Sequence, residues 1–290
     1  MNRSLSSVLI VVGSLIVAFF ITWLYLRSKS DSRPIKAPFD HAFVKAAHQT
    51  GKPFLLVRFT SPEQLHIKRK ADAKFTLGAW LDVRLGGENQ LIVSPQEILP
   101  SGPQKGKPIE IASAAECKSA GLHELSDFAD LLRERPAILN LISRRPGLSN
   151  KILEIWAPGR LLSIETVAIQ SESDGTLKEL RDAQPRGFYG SSQATLIQME
   201  ILSNLSLEGL MELKADLLVS STEELSASEG ARGGNLIPRV REATLLEAHR
   251  RGLKRYAGPA RNKVSAEHLL KLGYDGVLIE TPETLDLLAE

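Results

Sequence analysis

At 290 residues, with 36 basic and 34 acidic side chains and a formal charge of +2, the chain has room for one large domain or two small ones and is close to neutral. That balance argues against a dedicated nucleic-acid binder, which concentrates basic charge in a patch or stripe. The single cysteine, Cys117, excludes an internal disulfide framework and, in the polar stretch Ser113–Lys118, is expected to be structural and not a nucleophile.

Residues 1–7 form a short flank carrying Arg3. Val8 to Leu26 is uncharged and apolar. At about 1.5 Å per residue it spans roughly 28 Å, close to the ~30 Å hydrocarbon core of a bilayer. Trp23 and Tyr25 stand near one end, where amphipathic rings favour the interface. A cleaved signal peptide has a shorter apolar core and a small-x-small cleavage site. Arg27-Ser28-Lys29-Ser30 offers no such site, so an uncleaved single-pass membrane anchor is expected. Arg27, Lys29, Arg33 and Lys36 follow the span, while only Arg3 precedes it. The positive-inside rule then puts the rest of the chain in the cytoplasm, with a periplasmic or extracellular placement as the alternative. Residues 27–50 read as a juxtamembrane linker and 51–290 as the folded domain.

Within that domain, short apolar runs alternate with amphipathic ones. Strands are expected at Phe54–Val57, Trp80–Val83, Leu91–Val93, Ala137–Ile142, Thr166–Gln170, Ala215–Val219, Lys254–Tyr256 and Gly276–Ile279. Helices are expected at Glu63–Lys74, at Glu124–Arg133 with Leu125, Phe128, Leu131 and Leu132 on one face, at Thr176–Ala183, and at Arg239–Arg251 closed by Gly252. A last one runs to Leu272 with Ser265 as its N-cap. The Ser-, Glu- and Gly-rich stretch Ser220–Gly234 reads as a long loop. Continuous apolar strands alternating with helices imply parallel βα units buried on both faces. About eight such units in roughly 255 residues is the size of a (β/α)8 TIM barrel. An open doubly wound sheet is the alternative, weakened because no Gly-rich phosphate turn opens a helix.

Several segments resemble, in order, the landmarks of glycerophosphodiester phosphodiesterases. Pro62-Glu63-Gln64 resembles the family's P-E-N turn, and Gly78-Ala79-Trp80-Leu81-Asp82-Val83 its G-A-x-x-I-E-x-D-V strand. Leu122–Phe128 resembles its P-T-L-x-E-x-L helix. Leu253–Pro259 and Leu272–Pro282 resemble its last two βα units. The resemblance runs from about Pro53 to Leu288 and implies a TIM barrel of phosphoric diester hydrolases in glycerophospholipid metabolism. It also implies calcium or magnesium held by carboxylates at strand ends, two histidines as general base and acid, and an arginine gripping the phosphate.

Carried over position by position, most of that set is replaced. The first histidine falls on Val57, a metal glutamate on Trp80, the second histidine on Pro95 and a third metal carboxylate on Ile142. Arg58 and Arg144 remain as phosphate or ligand contacts, and Asp82, with Glu63 more weakly, as metal ligands. The competing reading of Asp82 is an ion pair with Arg58. The expected function is therefore a membrane-anchored barrel, degenerate at its catalytic site, that does not hold the implied metal. It binds a membrane lipid or glycerophosphodiester-like molecule, or a protein partner, at the membrane surface. An active phosphodiesterase with a rearranged site and a structural envelope protein are the alternatives.

Overall fold

The computed structural model describes residues 3–31, 41–48, 51–66, 74–143, 145–156, 160–207, 210–211, 214–220 and 242–289. The first helix, α1 (Arg3–Asp31), is 29 residues long. Its window Val12–Lys29 is apolar and long enough to cross a membrane, and none of it is buried against the body of the protein. Within the segment expected to be a linker, Ala42–His48 (α2) is helical and belongs to the barrel, with Phe43 and Ala47 buried.

Eight parallel strands close the barrel: β1 (Phe54–Arg58), β2 (Thr76–Leu85), β5 (Ala137–Leu141), β6 (Val167–Ser171), β7 (Phe188–Tyr189), β8 (Leu217–Ser220), β9 (Lys254–Ala260) and β10 (Gly276–Ile279). Hydrogen bonding runs β7-β6-β5-β2-β1-β10-β9-β8, and a parallel bridge from Gly190 to Leu217 joins the two ends. Between β2 and β5 the chain makes an excursion. β3 (Leu91–Val93) returns antiparallel on β2, and β4 (His123–Glu124) pairs with β3. The excursion has a small core of its own, Ile92, Leu99, Ile109, Ala112, Cys117 and Ala120. Cys117 is buried there, and burial pushes its thiol pKa up, as a structural cysteine requires.

Strand alternation sorts side chains into two cores. Odd-numbered residues of β1 and β2, such as Leu55, Val57, Ala79, Leu81 and Val83, pack outward against the helices. Their even-numbered neighbours Phe54, Leu56 and Trp80 fill the barrel with Ile138, Ala168, Phe188, Val219, Tyr256 and Leu278. The interior is closed at the N-terminal end by α2. Phe43 stacks on Phe188 at 5.1 Å and meets Phe54 edge-on at 6.4 Å. His48 lies against Tyr256 and Phe54, with its Nε2 3.4 Å from the Tyr256 hydroxyl. Two glycines make this aromatic floor fit: a Cβ on Gly78 would fall 2.4 Å from the Phe54 ring, and one on Gly276 would fall 2.6 Å from Tyr256.

Several expected elements shift. Trp80–Val83 is part of a ten-residue strand, because β2 runs on to pair with both β5 and β3. Glu63–Lys74 begins as a single 3-10 turn, Pro62–His66, and residues 67–73 lie outside the described residues. Glu124–Arg133 divides into the end of β4, a 3-10 turn Leu125–Phe128 and a helix Ala129–Glu134, although its apolar face is buried as expected. The N-cap of the helix Lys263–Lys271 is Asn262, not Ser265. Ser265 is its N3 residue and completes a reciprocal capping box. The helix before β9 is Glu242–Arg250, followed by Gly252 at a φ of 73°. The expected loop beyond Ser220 lies outside the described residues. Helices Leu148–Ile155 and Gln193–Asn204 and the two-residue β7 carry sequence signals too short or too mixed to separate from their flanks.

Candidate functional site

The C-terminal mouth is lined by the next inward residues above the apolar layer. Register places Asp82 beside Asn140, and Asn140 beside Gln170. Asp82 is 1 % exposed and is held on both carboxylate oxygens. Its Oδ1 accepts from Trp80 Nε1 at 2.9 Å and from Asn140 Nδ2 at 2.7 Å. Its Oδ2 is 3.0 Å from Arg58 Nε, an ion pair whose contact lies off the N–H direction. The Arg58–Asp82 pair anticipated from the sequence therefore forms, and Trp80, wholly buried, both fills the barrel and donates to the same carboxylate.

The other anticipated positions do not all converge. Glu63 is 76 % exposed on the turn after β1, hydrogen-bonded by Ser61, with His123 Nε2 3.9 Å away. Val57 packs in the outer core, so its side chain points to the helices and not to the mouth. The alternation at the end of β1 turns Arg58 inward and Val57 outward. Pro95 lies at the mouth and contributes its carbonyl, which accepts from Arg84 Nη2 at 3.4 Å. Ile142 follows β5, buried, with its amide donating to Val83 O. Arg144 lies outside the described residues; its neighbour Arg145 is tied to the carbonyls of Gly86 and Glu110.

Three mouth residues escaped the sequence reading. Arg84, two residues beyond Asp82 on β2, is 3 % exposed. Its Nε has no hydrogen-bond partner among the described residues, and neither do Gln170 Oε1 and Ser191 Oγ, all buried. Gln170 Nε2 meanwhile donates to Ser191 O at 2.8 Å. Burial lowers the Arg84 pKa, while Glu97, Asp82, Glu110 and Glu172 act to raise it. Period-two counting from Trp80 through Asp82 to position 84 is the signal that finds Arg84.

These residues do not suit a divalent cation. Calcium and magnesium take several carboxylate or carbonyl oxygens in one shell. Both oxygens of Asp82 already face donors, one of them cationic, and no three His, Cys, Asp or Glu side chains cluster among the described residues.

No protein-family profile and no curated protein sequence matches the chain. Solved structures do match it. A glycerophosphodiester phosphodiesterase from Agrobacterium tumefaciens superposes with a TM-score of 0.53 at 12 % identity, over 82 % of this chain and 99 % of that one. One from Thermotoga maritima gives 0.52 at 14 %, over 79 % and 95 %. The fold is that of a glycerophosphodiester phosphodiesterase-like TIM barrel. An Oleispira antarctica phosphodiesterase solved with its product sn-glycerol-3-phosphate shares it, with a TM-score of 0.51 at 14 % identity over 82 % and 96 % of the two chains. At such identities the likeness establishes the architecture, and the chemistry has to be read from the mouth itself.

Proposed function

We propose that this glycerophosphodiester phosphodiesterase-like barrel is anchored in a membrane by α1 and binds a phosphate-bearing small molecule at its mouth without hydrolysing it. The observation that carries the reading is Arg84, a buried guanidinium whose Nε has no partner among the described residues, on the inward side of the strand that also carries Asp82. A guanidinium presents its donors as a planar fork that suits phosphate. The carboxylates Glu97, Glu110 and Glu172 around it suit the hydroxyl or ammonium end of a glycerophosphodiester-like ligand. The sn-glycerol-3-phosphate bound by the Oleispira structure belongs to the same chemical class. Against turnover stand the occupied Asp82, the outward Val57 and the proline at position 95. Acid–base cleavage of a phosphodiester needs a proton acceptor and a donor on opposite sides of phosphorus. Neither is carried by the positions that hold histidine in the family.

The anchor reading rests on the length and apolarity of α1, and the heavier basic flank after it favours a cytoplasmic barrel. Protease protection in sealed vesicles decides between that side and the opposite one. For the mouth, the test is titration of the full chain in detergent with sn-glycerol-3-phosphate, in the presence and absence of a chelator. Binding insensitive to chelation and weakened at least about tenfold by Arg84→Met is expected. Calcium-dependent hydrolysis of glycerophosphocholine that Asp82→Ala abolishes overturns the proposal and restores the active-enzyme alternative. Absence of any small-molecule binding leaves a protein partner or a structural envelope role.

A further inference from the structure

We infer that the N-terminal face of the barrel, opposite the mouth, is a second binding surface, for anionic phospholipid headgroups. The barrel stands on the membrane through this face and turns its mouth away from the bilayer. This inference rests on the anchored reading above and adds to it which end of the barrel meets the lipid.

The path of the chain gives the first argument. From α1 the chain passes through residues 32–40 to His41 and α2, which plugs the N-terminal end of the barrel interior. His41 is pinned there, its Nε2 2.9 Å from Arg186 O just before β7. A second contact agrees. Trp23, near the end of the apolar span, donates from Nε1 to Leu205 O at 2.8 Å. Leu205 caps the helix that follows β7, and a helix that follows a barrel strand ends at the N-terminal face. An interfacial tryptophan bonded to that face puts the face at headgroup level. Ile201 and Leu205 stand exposed at the same end.

Charge gives an independent argument. Segments that lead into barrel strands lie on this face, and their described residues include Lys45, Lys52, Lys74, Arg135, Arg160, Arg186, Lys214, Arg251 and Lys271 against Glu134, Glu165, Asp182, Asp216 and Asp275. The mouth, by contrast, carries Glu63, Glu97, Glu110, Glu172 and Glu280 against Arg145, Arg261 and Lys263 among the described residues, a balance without the basic excess of the opposite face. A basic face beside an anchor is attracted to anionic lipid more strongly than a face of balanced charge. The basic face also holds a cleft of about 340 Å³, with Phe75, Leu77 and Pro136 as apolar wall and Lys52, Arg135 and Glu134 as charged lip. Apolar wall and paired cations suit the glycerol and phosphate of a headgroup. It follows that the ligand of the mouth arrives from the aqueous side, as a soluble glycerophosphate-type molecule and not a lipid still in the bilayer.

The test uses the full chain in nanodiscs of phosphatidylcholine with and without phosphatidylglycerol. Energy transfer to a headgroup acceptor is measured from a donor on Lys45→Cys, at the N-terminal face, and on Val264→Cys, exposed at the start of the helix after β9 at the mouth. The donor at position 45 is expected to transfer more efficiently, and native mass spectrometry is expected to show phosphatidylglycerol retained about tenfold over phosphatidylcholine. Lys52→Gln with Arg135→Gln should remove that preference while the unfolding midpoint and the incorporation hold. The wild-type comparison of the two donors needs neither of those substitutions and decides the orientation alone. Greater transfer at position 264, or equal retention of the two lipids, overturns the inference. Failure to incorporate into neutral discs overturns the anchored reading instead.

Discussion

Asp82→Ala is the most informative single change in the barrel. The wild-type carboxylate is 1 % exposed, accepts from two donors, Trp80 Nε1 and Asn140 Nδ2, and forms an ion pair with Arg58, whose side chain is 14 % exposed. Truncation leaves a cation and two neutral N–H groups without their acceptor inside the barrel. Removing one partner of a buried ion pair costs about 3–5 kcal/mol. For a domain of this size that lowers the melting temperature by roughly 10 °C. Asp82→Asn keeps Oδ1 as the acceptor for both neutral donors and loses the charge that faces Arg58, for about 1–3 kcal/mol. Arg58→Met alone costs about 3 kcal/mol, because Asp82 keeps its charge. The double variant Arg58→Met with Asp82→Ala removes both charges and strands only the Trp80 and Asn140 donors. Its cost is then about 2–4 kcal/mol, well below the sum of the two single losses. Urea unfolding of the full chain in detergent, followed by far-UV circular dichroism, measures all four. Additive losses across the cycle, or an Asp82→Ala loss under about 1 kcal/mol, refute the picture of one coupled cluster.

His48 gives the domain a defined acid sensitivity. Burial, reinforced by Lys254 and opposed by Asp275, lowers its pKa from 6.5 to about 4. The unfolded chain therefore takes up this proton before the fold does, so the neutral ring's contribution is complete above pH 6.5 and lost as the pH falls toward 4. Discounted for the partial exposure of the ring, the loss is about 1–2 kcal/mol. Stability measured from pH 7 to 4 should fall less in His48→Gln than in the parent, and parallel curves would remove His48 as the cause. Gly78→Ala is expected to cost about 1–3 kcal/mol, since the new methyl meets the Phe54 ring and Pro136 O, at 2.4 and 2.8 Å before any relaxation. An unchanged unfolding midpoint would mean that the aromatic floor yields freely.

The architecture was legible because its signals are local and repeated. Strands buried on both faces are continuous apolar runs; Phe54–Val57 and Gly276–Ile279 carry that signature without interruption, and Ala137–Leu141 breaks it only at Asn140. Less legible were elements whose form depends on a distant partner. β2 extends to ten residues because β3 and β5 pair with it along different lengths. β7 has only two residues and is fixed by β6, not by its own pattern. Ala42–His48 reads as linker because only Phe43 and Ala47 face a core, and that core exists only once Phe54, Phe188 and Tyr256 meet across the barrel.

The mouth was legible in kind but not in membership, and the reason is geometric. A resemblance aligned along the sequence puts Val57 and Arg58 side by side as two replaced or retained site positions. A strand puts neighbouring residues on opposite faces, so only Arg58 enters the barrel. The same alternation, followed one step further along β2, brings Trp80, Asp82 and Arg84 to one side. Their grouping explains how a lone carboxylate persists in the interior. The family resemblance implies a cation beside a carboxylate here; in this chain the guanidinium of Arg58 supplies the positive charge, and the indole and amide of Trp80 and Asn140 donate to the other oxygen. A carboxylate satisfied in this way has little to offer calcium or magnesium, because either ion would have to displace a covalently tethered counter-charge before it gained a ligand. Arg84 remains as the buried cation whose Nε bonds to nothing among the described residues, and it is on this group that the proposed phosphate binding rests.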